Sequence, residues 1–198
     1  MSLANLCLGS ASPRRRQLLL NVGLSIEVRP ADIDETQHDN EAPLDYVTRL
    51  AKEKAFAVAK TFAGGEKGLP ILTADTVVVC DDKVFGKPSN YDEARQMWRT
   101  MSNNKHQVVT AVGLLAAADS TDCMVEIAVS QVVFESISEQ AMKMYWNTGE
   151  PQDKAGGYAI QGLASAWVKS IEGSYSGVVG LPLFETNRLL SKVDLNWL

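Results

Sequence analysis

An aspartate, Asp75, stands inside a run that is otherwise apolar or β-branched, Ile71-Leu72-Thr73-Ala74-Asp75-Thr76-Val77-Val78-Val79. Carboxylates are disfavoured in strands, and one that is buried must be ion-paired, hydrogen-bonded or bound to a metal. Such a carboxylate can serve as a general base or as a ligand to a hard cation. A second charge stands on the wrong face of a helix. Plotted at about 100° per residue, Leu44, Val47, Leu50, Ala51, Ala55, Val58 and Phe62 share one arc, and Lys54 falls within it. Arg49, Lys52, Glu53 and Lys60 fall outside. A lysine on a core-facing stripe either finds a partner or snorkels its amine to the edge. Lys54 and Lys87 are both available to Asp75, Lys87 because Val84-Phe85-Gly86-Lys87-Pro88 returns along a hairpin. A purely structural ion pair stays open. Upstream, Asp32, Asp34 and Glu35 form an acidic loop. Solvation explains such a loop. So does a divalent cation, which takes one or two carboxylates together with substrate phosphates.

Cations also collect at Ser10-Ala11-Ser12-Pro13-Arg14-Arg15-Arg16. Ser12 suits an N-cap and Pro13 the first helical position. Three arginines then occupy a first turn whose macrodipole favours acids. An anion bound there would reconcile them, because free N–H groups, serine hydroxyls and forked guanidiniums converge well on a phosphate. An exposed helix start with solvated arginines is the plainer alternative. A last segment, Glu150 to Gly162, carries Gly156, Gly157 and Gly162 with Gln161. Glycines permit close approach of backbone to a ligand, and a glutamine amide can read the edge of a base. A structured turn would use the same residues.

The elements that must position these groups alternate in type. Strands are expected at Leu6–Leu8, Ser25–Arg29, Ile71–Cys80, Lys83–Phe85, His106–Ala117, Met124–Phe134 and Ala166–Ile171. Helices are expected at Pro13–Asn21, Pro43–Phe62, after Asn90, at Glu139–Trp146 and at Pro182–Ser191. That order predicts an α/β fold with a mixed sheet.

Bulk properties narrow the function. At 198 residues, with 45% hydrophobic and 22% charged residues, the chain suits one large domain or two lobes sharing a sheet. A net charge of −5 argues against nucleic acid as a partner, while leaving room for a small anion held by local cations. No run approaches the roughly 18 apolar residues of a membrane span, and Met1 to Gly9 lacks the basic start of a signal peptide. Cys7, Cys80 and Cys123 are far apart and lie in apolar runs, as expected for reduced core cysteines of a cytoplasmic protein.

Taken in order, these segments resemble the Maf family of nucleoside triphosphate pyrophosphatases. The resemblance runs through Ser10-Ala11-Ser12-Pro13-Arg14-Arg15, Asp34-Glu35, Tyr46-Val47, Arg49-Leu50-Ala51 with Lys54-Ala55, Ala74-Asp75-Thr76-Val77-Val78 and Gly86-Lys87-Pro88. It continues through His106 with Val109-Thr110, the Glu150–Gly162 loop, Gly173-Ser174-Tyr175-Ser176, and Val178-Val179-Gly180-Leu181-Pro182-Leu183. It implies a single domain over residues 1–198: a mixed, elongated sheet flanked by helices, with two lobes around a central cleft. Asp153-Lys154-Ala155-Gly156 and Ile160-Gln161-Gly162 look like the branch acting on dTTP and UTP, and modified pyrimidine nucleotides are included in that expectation. By the resemblance Asp75 is the proton acceptor, and Arg14, Thr76 and Gln161 set base choice. Ser10, Arg15, Lys54 and Lys87 hold phosphates, Lys54 and Lys87 counting with Asp75 as catalytic. Glu35 is the second carboxylate, beside Asp75, for Mg²⁺ or Mn²⁺. A homodimer is implied. Ala11, Gly157 and Gly177 depart from the family pattern. The competing expectation is a nucleotide-binding regulator of septum formation without turnover.

Overall fold

Alternation of side chains across a strand decides what each strand can carry, and Leu6–Leu8, Ile71–Cys80 and most of Lys105–Leu115 are buried on both faces. The computed structural model of the chain describes residues 4–62, 68–195 and 197. Among them are seven strands, β1 (Leu6–Leu8), β2 (Ile26–Val28), β3 (Ile71–Cys80), β4 (Lys83–Phe85), β5 (Lys105–Leu115), β6 (Met124–Phe134) and β7 (Val168–Glu172). The helices are α1 (Pro13–Asn21), α2 (Pro43–Ala59), α3 (Tyr91–Met101), α4 (Glu139–Trp146), α5 (Tyr175–Val179) and α6 (Leu183–Ser191). The sheet order is β2-β1-β3-β5-β6-β7, with β4 also paired to β3. β1 runs parallel to β2 and β3, whereas β3–β4 and β6–β7 are antiparallel, so the sheet is mixed as expected.

Two compact units divide the chain, and β3, β5 and β6 each contribute residues to both. The first unit comprises Met1–Asp75, Thr110–Ala128 and Gly180–Leu198. Leu6 and Leu8 of β1 join Leu72 and Ala74 of β3, Leu19 of α1 and Leu189 and Leu190 of α6 in one cluster. Cys7 and Ile71, one position out of phase, join Ala55 and Val58 of α2 in another. By the same alternation Thr73 and Asp75 share the face of Ile71, toward α2. Trp197 packs against the first cluster.

The second unit comprises Thr76–Val109 and Val129–Val179. Its core holds Trp98 and Met101 of α3, Met142 and Tyr145 of α4, Phe134 of β6 and Tyr158. α3 begins as its sequence dictates. Asn90 accepts a hydrogen bond from the Glu93 N–H at 3.0 Å, and Asp92 and Glu93 occupy the first turn, where the helix dipole favours acids.

Several bounds differ from expectation. α2 stops at Ala59 rather than Phe62, and Leu44, expected on its core arc, is 47% exposed. The strand expected from Ala166 starts at Val168, because Leu163–Trp167 winds into a 3₁₀ turn first. α5 follows Gly173, whose φ of 115° turns the chain out of β7, and was not anticipated.

His106 in the second unit is 2% exposed, with Nε2 2.8 Å from the Tyr158 hydroxyl and its ring against Phe134. Its Nδ1 is buried without a partner among the described residues. Burial pushes its pKa down from 6.5 to about 4. The unfolded chain therefore takes up a proton that the folded chain refuses, and the associated stability, intact above pH 6.5, is lost as pH falls toward 4. The loss is on the order of 3 kcal/mol over that window. Urea denaturation at several pH values should show this slope in the wild type and lose it in His106→Gln. Identical slopes in both proteins would refute the assignment.

Candidate active site

The arginine-loaded helix start is built as the sequence predicts, but its two leading arginines do different things. Past the end of β1 the Gly9 N–H still donates to the Leu72 carbonyl at 2.8 Å, which sets Ser10 beside β3. Ser10, 8% exposed, accepts from the Ser12 N–H at 3.2 Å. Ser12 caps α1 by accepting from the Arg15 N–H, and Pro13 sits in the first turn. Arg15 turns its guanidinium inward. Nε donates to the Gly180 carbonyl and Nη1 to the Ala74 carbonyl, each at 2.7 Å, and Nη1 reaches Ser10 Oγ at 3.3 Å. Burial lowers its pKa, and the charge of Asp75 opposes that effect. Arg15 thus ties α1 to the residue before Asp75. Arg14 is partly exposed and forms no hydrogen bond or ion pair among the described residues.

Lys54 and Asp75 meet. Asp75 lies three residues beyond Leu72, the last β3 position paired with β1. On the same face, Thr73 Oγ1 donates to the Ala51 carbonyl of α2 at 2.7 Å. That bond fixes α2 against β3 one turn before Lys54, and the next residue on that face, Asp75, receives the Lys54 ammonium. Nζ donates to Asp75 Oδ1 at 2.6 Å and lies 2.7 Å from Glu35 Oε1. Lys54 is 8% and Asp75 7% exposed, whereas the Glu35 side chain is 43% exposed. One buried cation therefore bridges two carboxylates that lie 40 positions apart in sequence. Lys54, one of the two lysines left open as partners of Asp75, pairs with it here.

The acidic loop is held from α2. Arg49 forks onto Glu41 through Nε at 2.7 Å and Nη2 at 2.8 Å, and Nη2 also donates to the Thr36 carbonyl at 3.0 Å. The Arg49 bond holds the Glu41 carboxyl down at about 2. The Tyr46 hydroxyl donates to the Glu35 carbonyl at 2.6 Å. Burial, then the charges of Asp75 and Glu35, push the Tyr46 pKa up. Asp34 accepts from the Thr36 N–H and hydroxyl, so it shapes the loop while Glu35 meets Lys54. The helical wheel put Arg49 outside the core arc without showing its use. Its partner Glu41 lies before the helix, where no periodicity signals a contact.

Thr76, Lys87 and Gln161 belong to the second unit. Thr76 is partly buried in β3, and Lys87 is exposed two residues past the end of β4. Gln161 is exposed, with no hydrogen bond among the described residues. Two of the loop glycines lie close against protein side chains. A Cβ on Gly156 would lie 2.9 Å from Val78, and one on Gly157 3.2 Å from Pro88. Trp98 Nε1 donates to the Gly157 carbonyl at 3.1 Å, which anchors the loop to α3.

Among the described residues no three His, Cys, Asp or Glu side chains group closely enough to hold a metal ion. Glu35 and Asp75 nonetheless offer the hard oxygen donors a small divalent cation takes alongside phosphate, so the donor set fits such an ion. No described helix is long and apolar enough to cross a membrane.

The chain is 47% identical over 190 residues to a dTTP/UTP pyrophosphatase of Hahella chejuensis, covering 96% of this chain and 92% of that one. It is 46% identical over 190 residues to a dTTP/UTP pyrophosphatase of Pseudoalteromonas atlantica, covering 96% and 97%. Among solved structures, a HAM1 protein from Coxiella burnetii superposes with a TM-score of 0.47 at 16% identity, covering 67% of this chain and 73% of that one. A family model described as Maf-like protein matches residues 5–193, and by that match and those relatives the chain belongs to the Maf family.

Proposed function

We propose that this protein hydrolyses dTTP and UTP to the nucleoside monophosphate and pyrophosphate. The observation that carries the proposal is the buried Lys54 ammonium joining Asp75 and Glu35, in a chain nearly half identical to proteins named for that activity. The family match over residues 5–193 supports one catalytic domain. Three free, buried cysteines support a cytoplasmic location. The homodimer implied by the resemblance belongs to the same proposal.

In the reaction, a water oxygen attacks the α-phosphorus, and the bond from that phosphorus to the bridging oxygen of the β-phosphate breaks. Asp75 takes the proton from the water, and pyrophosphate leaves with the bridging oxygen. Lys54 orients Asp75 before the substrate arrives. Ser10 faces charge on the phosphates, Arg14 takes part in base choice, and Arg15 keeps Ser10 and the backbone at Ala74 in register. Glu35 and Asp75 would hold the divalent cation, which supplies Lewis-acid charge to the phosphate oxygens when bound. The roles of Thr76 and Gln161 in base choice, and of Lys87 on phosphate, rest on the family motif alone.

The test is product release from a panel of nucleoside triphosphates with Mg²⁺, Mn²⁺ or chelator. Pyrophosphate and monophosphate should appear in equal amounts, fastest from dTTP and UTP, and chelator should stop the reaction. Release of orthophosphate would move the attack off the α-phosphorus. Nucleotide binding without any release would replace this proposal with the regulator.

A further inference from the structure

The turn that carries Gln161 is held at both ends by one pair of side chains. The Gly162 N–H donates to the Ala159 carbonyl at 3.0 Å, so Ala159-Ile160-Gln161-Gly162 closes as a turn with Gln161 at its third position. Before it, the Ala159 N–H donates to the Tyr145 hydroxyl at 3.0 Å. After it, the Leu163 N–H donates to Glu150 Oε2 at 3.2 Å. The two anchors are themselves joined, because the Tyr145 hydroxyl donates to Glu150 Oε1 at 2.7 Å.

The ring of bonds is braced on all sides. Tyr145 is 4% exposed, and its ring packs against Trp98 and Trp167 with centroids 5.4 and 4.8 Å away, which aims the hydroxyl. Burial and then the Glu150 bond push its pKa up, so it stays a donor at neutral pH. Gly162 lies so close that an added Cβ would fall 2.2 Å from Glu150 Oε1, so a larger residue there would push the carboxylate away from the turn. Gln161 alone at the turn is exposed, with its amide uncommitted among the described residues.

We propose that Tyr145 and Glu150 are positioning residues for base choice: they hold the Ala159–Gly162 turn so that the Gln161 amide meets the pyrimidine edge in one register. The inference rests on the base-choice role given to Gln161 above. Thymine and uracil share an N3–H donor beside a C4 carbonyl acceptor, and cytosine reverses both. A glutamine amide can rotate to present either pattern, so it favours one only where its position against the base is set, and misplacement by a fraction of an ångström erodes oriented contacts.

The experiment compares kcat/KM for dTTP and dCTP in the wild type, Tyr145→Phe, Gln161→Ala and the double variant. Tyr145→Phe keeps the packed ring and removes only the hydroxyl. It should lower the dTTP-to-dCTP ratio about tenfold, mainly through KM for dTTP. The double variant should fall no further than Gln161→Ala, because the two changes act on one contact. A purely structural role would lower turnover of both nucleotides alike, and that result, or independent losses that multiply, would overturn the inference. Glu150→Gln provides the same test through the other anchor, since Tyr145 and Leu163 donate to different carboxylate oxygens and one of these becomes an NH2 that cannot accept. A wild type inactive on dTTP would instead remove the proposed function, whereas an unchanged ratio in Gln161→Ala would remove the base-choice role and this inference with it.

Discussion

Asp75→Asn should reduce pyrophosphate release from dTTP by at least about 10²–10³-fold while leaving the fold intact. The substitution is nearly isosteric. An asparagine oxygen can still accept from Lys54, and Lys54 keeps Glu35 at 2.7 Å, so no buried cation is stranded. What disappears is the negative charge that takes a proton from water. General-base assistance is worth about 10²–10⁴ in rate, and the same change removes one of two carboxylates available to a divalent cation. Thermal unfolding and dTTP binding to the variant separate chemistry from folding: both should stay close to wild type while single-turnover release collapses. Near-normal turnover in a folded Asp75→Asn protein would remove Asp75 from the mechanism.

The sequence carried this candidate further than it carried the geometry around it. Asp75 and Lys54 are both legible because each violates a period, one a carboxylate in an apolar strand and the other an amine on a core arc. That they pair with each other is not legible. The choice between Lys54 and Lys87 depends on how α2 lies against β3, which the Thr73–Ala51 bond fixes across 22 positions. The start of α1 was readable from Ser12 and Pro13 because capping is local chemistry. The inward turn of Arg15 was not, since its acceptors at Ala74 and Gly180 come from distant segments. Strand bounds follow the same rule. β3 and β6 match expectation because their apolar runs are long, whereas β7 starts late because its register is set by pairing with β6, with an irregularity between Val133 and Phe134. Tyr145 gave no signal and Glu150 only marked the start of the Glu150–Gly162 loop, because a hydroxyl and a carboxylate that brace a turn resemble any helix end and loop start.

Lys54→Met should destabilise the protein by about 3–5 kcal/mol, the cost of leaving a buried charge without its partner. The side chains of Lys54 and Asp75 are each 10% exposed, so neither relies on solvent. Glu35, at 43%, remains hydrated when the ammonium is gone and adds little to the loss. Methionine fills the space of the lysine stem on the α2 core arc, which limits any cavity contribution. The penalty therefore belongs to the Asp75 carboxylate, and a second substitution tests this directly. In the Lys54→Met/Asp75→Asn double variant no unpaired charge is buried, so most of the lost stability should return although two polar partners have been changed. Urea denaturation of the two single variants and the double variant gives the coupling between them. With a slope of about 1–3 kcal/mol per molar urea, the drop in Lys54→Met moves the midpoint by more than about 1 M. If Lys54→Met costs less than about 1 kcal/mol, or the double variant loses the sum of the two single changes, the ion pair is a snorkelling contact at the edge of the core. A strongly coupled pair would mean that the fold keeps a costly buried charge at the position where the proposed chemistry needs a base.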